Sequence, residues 1–285
     1  MQNLLKLTEN KKLSKSQKKI LEYLLKEYDK AAYMTACELA KTVGVSESTA
    51  VRFAACLGFD GFSELSKYLK ETAGRQLTAV QRMQVSDTRI DDAGVLDTVL
   101  GDDINKIRKT LETLDREAFN NTVDAVCSAR RIYIIGVRSA GALASFFGYY
   151  LNHICDNVSL LTTISGVEIL EQLVRVREGD VAVVISFPRY SKRIIRAAEY
   201  AKMKGAVVCA LTDGPDSPIA DIADYRLYAR SDMVSFADSL AAPMSVLNAL
   251  IVSIGRKKKD DVEKVYSELE GIWEAQGVYE KGEKN

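Results

Sequence analysis

The chain has 285 residues, of which 47% are apolar and 27% are charged, and its 39 basic residues balance 39 acidic ones. This length is sufficient for a sizeable core and for two domains, and the composition is that of an ordinary globular protein. No apolar run approaches the length of a membrane span, and the first residues lack the apolar segment of a secretory signal. We therefore expect a cytoplasmic protein with no membrane partner.

The side chains that most often bind transition metals are scarce and scattered. The cysteines are Cys37, Cys56, Cys127, Cys155 and Cys209, without a Cys-x-x-Cys pair, and His153 is the only histidine. A zinc site needs three or four such ligands close together, and this spacing does not provide them. We expect reduced, mostly buried thiols, no metal and no cofactor.

The first 76 residues are predicted to form helices only. They carry 13 basic against 9 acidic residues, a modest excess that suits an anionic partner. Thr35 precedes an amphipathic stretch and has Glu38 three residues later, which is the spacing of a capping box. Ser46 begins a further predicted helix, Gly58 ends it, and residues 62–68 favour one more.

The stretch ACELAKTVGVSESTAVRFAACLGF, residues 36–59, predicts two helices joined by a short turn at Gly44, as in a helix-turn-helix. The residues expected to pack these helices together are Ala36, Leu39, Ala40, Val45, Val51, Phe53 and Ala54. Short polar side chains at the start of the second helix would let it approach the major groove of DNA. We predict DNA contacts from Ser46, Glu47, Ser48, Thr49 and Arg52, and phosphate contacts from Lys15, Lys18, Lys19, Lys67 and Lys70. The alternative is a helical bundle or dimer cap that does not bind DNA.

A helical connector is predicted over residues 77–125, because a polar stretch is followed by apolar residues at helical spacing. Beyond it, apolar and often β-branched runs alternate with helical stretches. The predicted strands are 132–137, 158–163, 181–187, 206–212 and 225–229, and the predicted helices are 141–154, 167–174, 191–204, 217–222, 236–254 and 260–274. Apolar runs of this kind indicate strands covered on both faces, and the alternation indicates a parallel sheet.

These patterns define the expected fold class and domains. We predict an all-α helix-turn-helix domain over residues 1–76, the connector over 77–125, and an α/β domain over 126–285. The α/β domain is expected to contain a parallel five-stranded sheet flanked by helices.

Two of the predicted strands end in turns that suit an anion. Gly136 lets the chain leave the sheet sharply, and Arg138, Ser139 and Ala140 then lie at a helix N-terminus, where free N–H groups favour negative charge. The second turn repeats this arrangement with Ser186, Arg189, Tyr190, Ser191 and Lys192. Because ligands of open α/β sheets bind at the carboxyl ends of strands, we predict that both turns hold a phosphate. The alternative is that the serines only cap helices and the cations are solvated.

Two other stretches carry polar residues with two alternative roles, either to line a ligand pocket or to cap helices. For each residue taken singly we favour the capping role. They contain Thr162, Ser165 and Glu168 in the first stretch and Ser231, Ser235, Asp238 and Ser239 in the second. Of these, Glu168 is included among the predicted ligand-binding residues.

The stretch ELAKTVGVSESTAVRFAACLGFDGFSEL, residues 38–65, closely resembles the DNA-binding module of the RpiR family of bacterial transcriptional regulators. The family pattern is matched almost throughout, and one departure is Ala50. The stretch GDVAVVISFPRYSKRIIRAAEYAKMKGAVVCALTD, residues 179–213, resembles the sugar isomerase (SIS) domain that usually follows that module. Here the turn keeps its first and last hydroxyl positions, loses the central glycine and gains Arg189.

These resemblances imply a regulator of carbohydrate metabolism that binds operator DNA as a homodimer or homotetramer and responds to a sugar phosphate. The gained arginines imply a ligand with extra negative charge or acceptors. SIS domains also occur in sugar-phosphate isomerases, where a carboxylate base and often a histidine act. Glu168 is the best candidate base, but His153 falls well into a helix, so we expect no enzyme activity. A sensor that acts on a protein partner is a third reading.

Overall fold

The structure is a computed structural model that describes residues 7–8, 11, 13–74, 94–163, 165–231 and 237–279. The chain divides into two compact units, which are described separately. The helices of the first unit are α1 (Lys15–Lys26), α2 (Tyr28–Ala31), α3 (Ala36–Val43), α4 (Glu47–Leu57) and α5 (Phe62–Gly74). No strand occurs in the described part of this unit, as predicted.

Local hydrogen bonds begin the helices where the sequence predicts them to begin. The Thr35 hydroxyl accepts a hydrogen bond from Glu38 N at 3.2 Å, and the Glu38 carboxylate accepts one from Thr35 N at 2.7 Å. This capping box satisfies backbone donors that a helix start leaves unpaired. The bonds from the Thr35 backbone and hydroxyl lower the pKa of Glu38 below its ordinary value. Ser14 and Gln17 form the equivalent box at α1.

The core of the first unit confirms most of the predicted packing of α3 against α4. Leu39, Ala40, Phe53 and Ala54 are buried, and they belong to one apolar cluster against which Ala36 and Val45 also pack. Val51 is an exception, because 41% of it is exposed and it lies outside that cluster. The packing role predicted for Val51 is therefore wrong: its position on α4 turns it away from α3.

The second unit contains two leading helices and then alternating strands and helices. Its elements are α6 (Val95–Thr113), α7 (Arg116–Ser128), β1 (Arg131–Ile135), α8 (Ser139–Ile154), β2 (Val158–Leu161), α9 (Gly166–Gln172), β3 (Asp180–Ile185), α10 (Lys192–Met203), β4 (Val207–Thr212), β5 (Tyr225–Tyr228), α11 (Ala241–Lys257) and α12 (Lys259–Gln276). The five predicted strands are confirmed, with ends that differ by up to two residues. None of the helices in the described ranges is long and apolar enough to cross a lipid bilayer.

The five strands form one parallel sheet in the order β2-β1-β3-β4-β5. Apolar side chains from α7, α8 and α11 cover one face, and those from α9 and α10 cover the other. Alternate residues of a strand point to opposite faces, so Ile134 and Val183 lie in the first core and Ile135 and Val184 in the second. The α/β fold with flanking helices is therefore confirmed.

Two predicted helices differ from the observed structure. Residues 217–222 form successive turns instead of a helix, because Pro215 and Pro218 remove backbone donors and the Ser217 hydroxyl bonds to Thr212. The long helix begins at Ala241 instead of residue 236, since residues 237–240 are not helical.

The helices of the predicted connector, α6 and α7, both pack on α11 within the second unit. The buried face of α6 carries Lys106 and Thr110, which are 5% and 4% exposed, whereas Leu96, Leu100 and Ile104 are more than half exposed. The Lys106 ammonium lies 3.6 Å from Asp102 and 3.7 Å from Asp103, and Thr110 Oγ1 accepts a hydrogen bond from Arg230 N at 3.0 Å. Polar contacts thus hold α6 to the rest of the unit.

Candidate functional site

The first candidate surface is the start of α4. Gly44 adopts a left-handed conformation with φ of 72°, which lets the chain turn between α3 and α4 without the strain a side chain would introduce. Ser46 occupies the N-cap position as predicted, but its hydroxyl bonds to the Ser48 and Thr49 hydroxyls, at 3.0 and 2.7 Å, instead of a backbone N–H. The three hydroxyls form one polar cluster at the N-terminus of α4.

Arg52 lies one turn beyond this cluster. Its Nε donates to Ser48 O at 3.2 Å, so the guanidinium lies along the same exposed side of α4 as Glu47 and Ser48. Ala50, the departure from the family pattern, is fully buried in the core of the unit. The departure therefore changes the packing behind α4 and leaves the exposed polar face as the pattern has it.

The lysines predicted to contact phosphates lie on two other helices. Lys15, Lys18 and Lys19 are exposed on α1, and Lys67 is exposed on α5. Lys70 is a residue of α5 whose side chain lies outside the described part of the structure. Their contacts with DNA stay a prediction.

The second candidate site, called the cleft below, is the region between the ends of β1 and β3 at the carboxyl edge of the sheet. Gly136, just after β1, donates its N–H to Leu161 O at 3.2 Å, on the β2 side. Ser186, just after β3, donates its N–H to Leu211 O at 3.1 Å, on the β4 side. The pairing of β1 with β3 ends at Ile135 and Val184, so the turns that follow both strands lie at the topological switch point of the sheet, where ligands of such sheets bind.

The turn after β1 brings Arg138, Ser139 and Ala140 to the N-terminus of α8, as predicted. Arg138 has a φ of 59°, which in a residue other than glycine costs about 1–3 kcal/mol. Arg138 and Ser139 are exposed, whereas the Ala140 side chain is buried and leaves only its backbone N–H for a ligand. A Cβ at Gly136 would lie 2.7 Å from Ala140 O, so the close turn requires glycine.

The turn after β3 brings the other predicted residues to the same edge. Ser191 is the N-cap residue of α10, yet its hydroxyl makes no capping hydrogen bond within the described structure. Arg189 and Lys192 are exposed beside it, and Ser186 is buried where the strand ends. The first turns of α8 and α10 both present unpaired N–H groups to this edge, and helix dipoles there favour an anion.

Tyr190 has a partner that the sequence did not reveal. Its hydroxyl donates to Asp213 Oδ1 at 2.7 Å, at the end of β4. Thr212 Oγ1 lies 2.7 Å from both Ser186 O and Ser217 Oγ, so β4 holds the base of the turn as well. Polar residues after an apolar strand, here Thr212 and Asp213, were the signal available in the sequence.

The turn after β2 lies at the same edge on the other side of β1. Ser165 caps α9 by accepting a hydrogen bond from Glu168 N at 3.3 Å, and the Glu168 carboxylate accepts one from the Thr163 hydroxyl. The capping interpretation is therefore confirmed for Ser165. A Cβ at Gly166 would lie 3.2 Å from Arg193 Cγ, so this turn also packs against the start of α10.

In the stretch before α11, the Ser239 hydroxyl lies 2.5 Å from Asp103 Oδ1 on α6, and Ser231 is buried. Ser235 lies outside the described residues. Ser239 therefore contributes to the attachment of α6.

The single histidine lies at the other end of α8 from the cleft. His153 is 14 residues from Ser139, which corresponds to about 21 Å along a helix. Its Nδ1 lies 3.3 Å from the Tyr266 hydroxyl, and its ring contacts Tyr149 and Tyr266 edge-on. These contacts give His153 a packing role between α8 and α12.

Comparison with known proteins reveals related proteins for both units. The model of the helix-turn-helix domain of the rpiR family matches residues 1–75, and the SIS domain model matches residues 126–253. An uncharacterised HTH-type transcriptional regulator of Haemophilus influenzae is 32% identical over 75% of each chain. Another from Clostridium perfringens is 29% identical over 76% of this chain and 77% of its own length.

Two solved structures extend the similarity to the fold. The sugar isomerase domain of an RpiR transcription factor from Sphaerobacter thermophilus has a TM-score of 0.60 and 28% identity over 62% of this chain and 98% of its own. The Vibrio vulnificus NanR protein, complexed with ManNAc-6P, has a TM-score of 0.59 and 22% identity over 94% of this chain and 98% of its own. With both domains matched in the same order, the chain belongs to the RpiR family of helix-turn-helix transcriptional regulators with a C-terminal SIS domain.

Proposed function

We propose that this regulator binds operator DNA through α4 and that a phosphorylated sugar, bound in the cleft between β1 and β3, controls that binding. The observation that carries the proposal is the end of the pairing between β1 and β3 at Ile135 and Val184, which places the turns after both strands at one edge of the sheet. Each turn leads into the N-terminus of a helix, where backbone N–H groups favour a phosphate.

Hydroxyl groups and cations around the cleft complete the chemistry that a phosphorylated sugar requires. Ser139 and Ser191 are available as hydrogen-bond donors, because Ser139 is exposed at the start of α8 and the Ser191 hydroxyl makes no capping bond in the described structure. Arg138, Arg189 and Lys192 supply positive charge, and charge-assisted hydrogen bonds to phosphate are the strong ones. The positive φ of Arg138 adds support, since strained residues of this kind cluster at ligand sites.

The structural relative NanR supports the ligand class. That protein shares this fold and was solved with ManNAc-6P, a phosphorylated sugar. At 22% identity the likeness concerns the fold, so the proposal extends to phosphorylated sugars as a class and to control of carbohydrate metabolism.

We also propose that the regulator is a homodimer in which α6 contacts a second copy. Leu96, Leu100 and Ile104 are 53–70% exposed along α6, while Lys106 and Thr110 of the same helix are buried. A helix-turn-helix protein reads two half-sites as a dimer, which provides the need for such a contact. A ligand that favours one arrangement of the two α6 helices would change the spacing of the DNA-binding units.

A regulator with this role acts on the bacterial chromosome in the cytoplasm. An isomerase role is not favoured, because His153 contacts Tyr266 about 21 Å along α8 from the cleft. Glu168, the candidate base, already accepts a hydrogen bond from Thr163.

The test is a thermal-shift screen against sugar phosphates, each beside its unphosphorylated parent. A ligand at a hundredfold its dissociation constant stabilises the native state by about 2.7 kcal/mol, which is readily detected. We expect a shift with one phosphosugar, none with its parent, and a change in operator affinity when that phosphosugar is added. A phosphosugar that binds without changing DNA affinity would contradict the proposed control.

A further inference from the structure

The second unit has a cavity at the opposite edge of the sheet from the serine-bearing turns. It has a volume of about 350 Å³ and is lined by Arg130, Arg131, Arg175 and Arg177. Arg131 is the first residue of β1, and Arg175 and Arg177 precede β3, so all four lie at the amino ends of these strands. A five-residue strand spans about 16 Å, which separates this cavity from the cleft.

One acidic side chain supports the floor of this four-arginine cavity. Asp180 is fully buried, and its Oδ2 lies 2.7 Å from Arg130 Nη2 and accepts the Arg177 N–H at 3.0 Å. The Arg130 backbone N–H donates to Gly179 O at 2.8 Å. Two of the lining residues are thus held in place by the fold before any ligand arrives.

The described residues do not neutralise the remaining positive charge of the cavity. Among the described residues, the guanidinium groups of Arg131, Arg175 and Arg177 have no carboxylate within 4.0 Å. Glu178, the nearest acidic residue in sequence, packs its Cα and Cβ against Gly205 and does not line the cavity. Four arginines and one aspartate leave a net charge of +3 at the cavity.

The four guanidinium groups that line the cavity repel one another, and a bound anion would offset this repulsion. Guanidinium groups match phosphate and carboxylate groups through paired N–H donors. The volume lies at the lower end of the range of about 300–1,000 Å³ for small-molecule sites. We propose that the four-arginine cavity binds a compact polyanion with about three negative charges, held on two or more phosphate or carboxylate groups.

This inference is independent of the function proposed for the cleft, and the two sites are separable by substitution. Arg175→Gln with Arg177→Gln removes two exposed guanidinium groups but keeps the backbone N–H of residue 177 for Asp180. Arg130 is left unchanged, because its loss would strand a buried carboxylate without its cation. Arg196→Gln with Lys204→Gln, both exposed on or just after α10, is the control with the same change in net charge.

The experiment is calorimetric titration of the full chain with inorganic tripolyphosphate, and separately with citrate, at constant ionic strength. We expect one equivalent of at least one probe to bind, with affinity reduced about tenfold or more in the Arg175 and Arg177 variant and unchanged in the control variant. A Ser139→Ala, Ser191→Ala variant should retain this binding. Loss in that variant instead would place the probe in the cleft and overturn the proposal.

Two other outcomes would also overturn it. If neither probe binds, the cavity is not a polyanion site. If neither probe binds and the Arg175 and Arg177 variant loses affinity for duplex DNA of random sequence, the arginines contact the phosphate backbone of DNA, which is a different role.

Discussion

The phenolic hydroxyl of Tyr190 donates a hydrogen bond to Asp213 Oδ1 at 2.7 Å and thereby ties the turn after β3 to the end of β4. Thr212 Oγ1 lies 3.2 Å from the same carboxylate oxygen and 2.7 Å from Ser186 O. The turn that carries Arg189 and Ser191 is therefore supported from the β4 side, without help from a ligand. A phosphate bound at this turn, as we propose, would therefore require little conformational ordering.

Replacement of Tyr190 by Phe tests this support. The substitution removes the hydrogen bond to Asp213 but keeps the ring, so we expect a loss of about 1–3 kcal/mol of unfolding free energy. Phosphosugar affinity should fall with it, because the turn becomes mobile, while operator affinity should stay unchanged. Urea unfolding and calorimetric titration measure the two effects. Tyr200→Phe, on α10, is the control. Equal stability of the Tyr190 variant and wild type would show that the bond does not support the turn.

Replacement of Gly136 by Ala tests the close approach of the first turn to α8. The new Cβ would lie 2.7 Å from Ala140 O and 3.0 Å from Ala144 Cβ, so backbone must move. We expect a loss of about 1–3 kcal/mol of unfolding free energy, as for other overpacked sites, and weaker phosphosugar binding.

Gly101→Ala is the matched control for that substitution. Gly101 lies inside α6 with nothing within 4 Å of its added Cβ, so alanine should stabilise the helix by about 0.5–1 kcal/mol. Urea midpoints that shift in the same direction for both variants would contradict the steric argument.

The features that the sequence predicted well depend on residues close together in the chain. The capping box of Thr35 and Glu38 needs only a spacing of three residues, and Gly44 marks a turn through its own conformational freedom. The apolar runs of the strands likewise follow from burial on both faces. These local signals were sufficient for the five strands, the helix-turn-helix and the positions of both turns that we propose bind an anion.

The features that the sequence did not predict depend on contacts between distant residues. Tyr190 and Asp213 are 23 residues apart, so nothing local indicates that they pair. The four-arginine cavity joins Arg130 and Arg131 to a loop more than 40 residues later, because β1 and β3 are neighbours in the sheet. The sequence also did not predict that the apolar stripe of α6 is exposed and that Lys106 and Thr110 are buried. Helical spacing shows that an apolar stripe exists, but it does not show which side of the helix other elements cover.

Replacement of Arg52 by Ala tests the DNA-binding face of α4. Arg52 is exposed and lies beside Ser48, where a guanidinium would reach a base edge or a phosphate. We expect operator binding to weaken by about 1–3 kcal/mol, which is about fivefold to 150-fold, with phosphosugar binding unchanged. Fluorescence anisotropy with an operator duplex at several salt concentrations measures the loss.

The salt dependence distinguishes the two kinds of contact for Arg52. A phosphate contact reduces the salt slope by about one and weakens all sequences equally, whereas a base contact relaxes sequence preference. Lys204→Ala, in the second unit, is the control for loss of one positive charge. An Arg52 variant with wild-type affinity for operator DNA would remove α4 from the proposed interface.

The two buried thiols, Cys155 and Cys209, should make the free energy of unfolding decrease at alkaline pH. Burial raises the pKa of Cys155 to about 11 and that of Cys209 to about 12, from an ordinary value near 9.0. In the unfolded chain both thiols lose their protons above pH 9, while in the native state they keep them. The native state then binds more protons, so stability falls as pH rises from about 9 toward 11–12.

At pH 10 the two thiols together should lower the unfolding free energy by about 2–3 kcal/mol relative to pH 8. Tyrosines and lysines also titrate there, so the measured quantity is the difference between wild type and a Cys155→Ala, Cys209→Ala variant in urea midpoints at pH 8, 9 and 10. The variant should be less sensitive to pH, and a Cys37→Ala, Cys56→Ala control, at two partly exposed thiols, should behave as wild type. Identical pH dependence in the Cys155 and Cys209 variant would mean that these thiols ionise in the native state as freely as in the unfolded chain. Burial of these two thiols in the core would then not raise their pKa values as argued here.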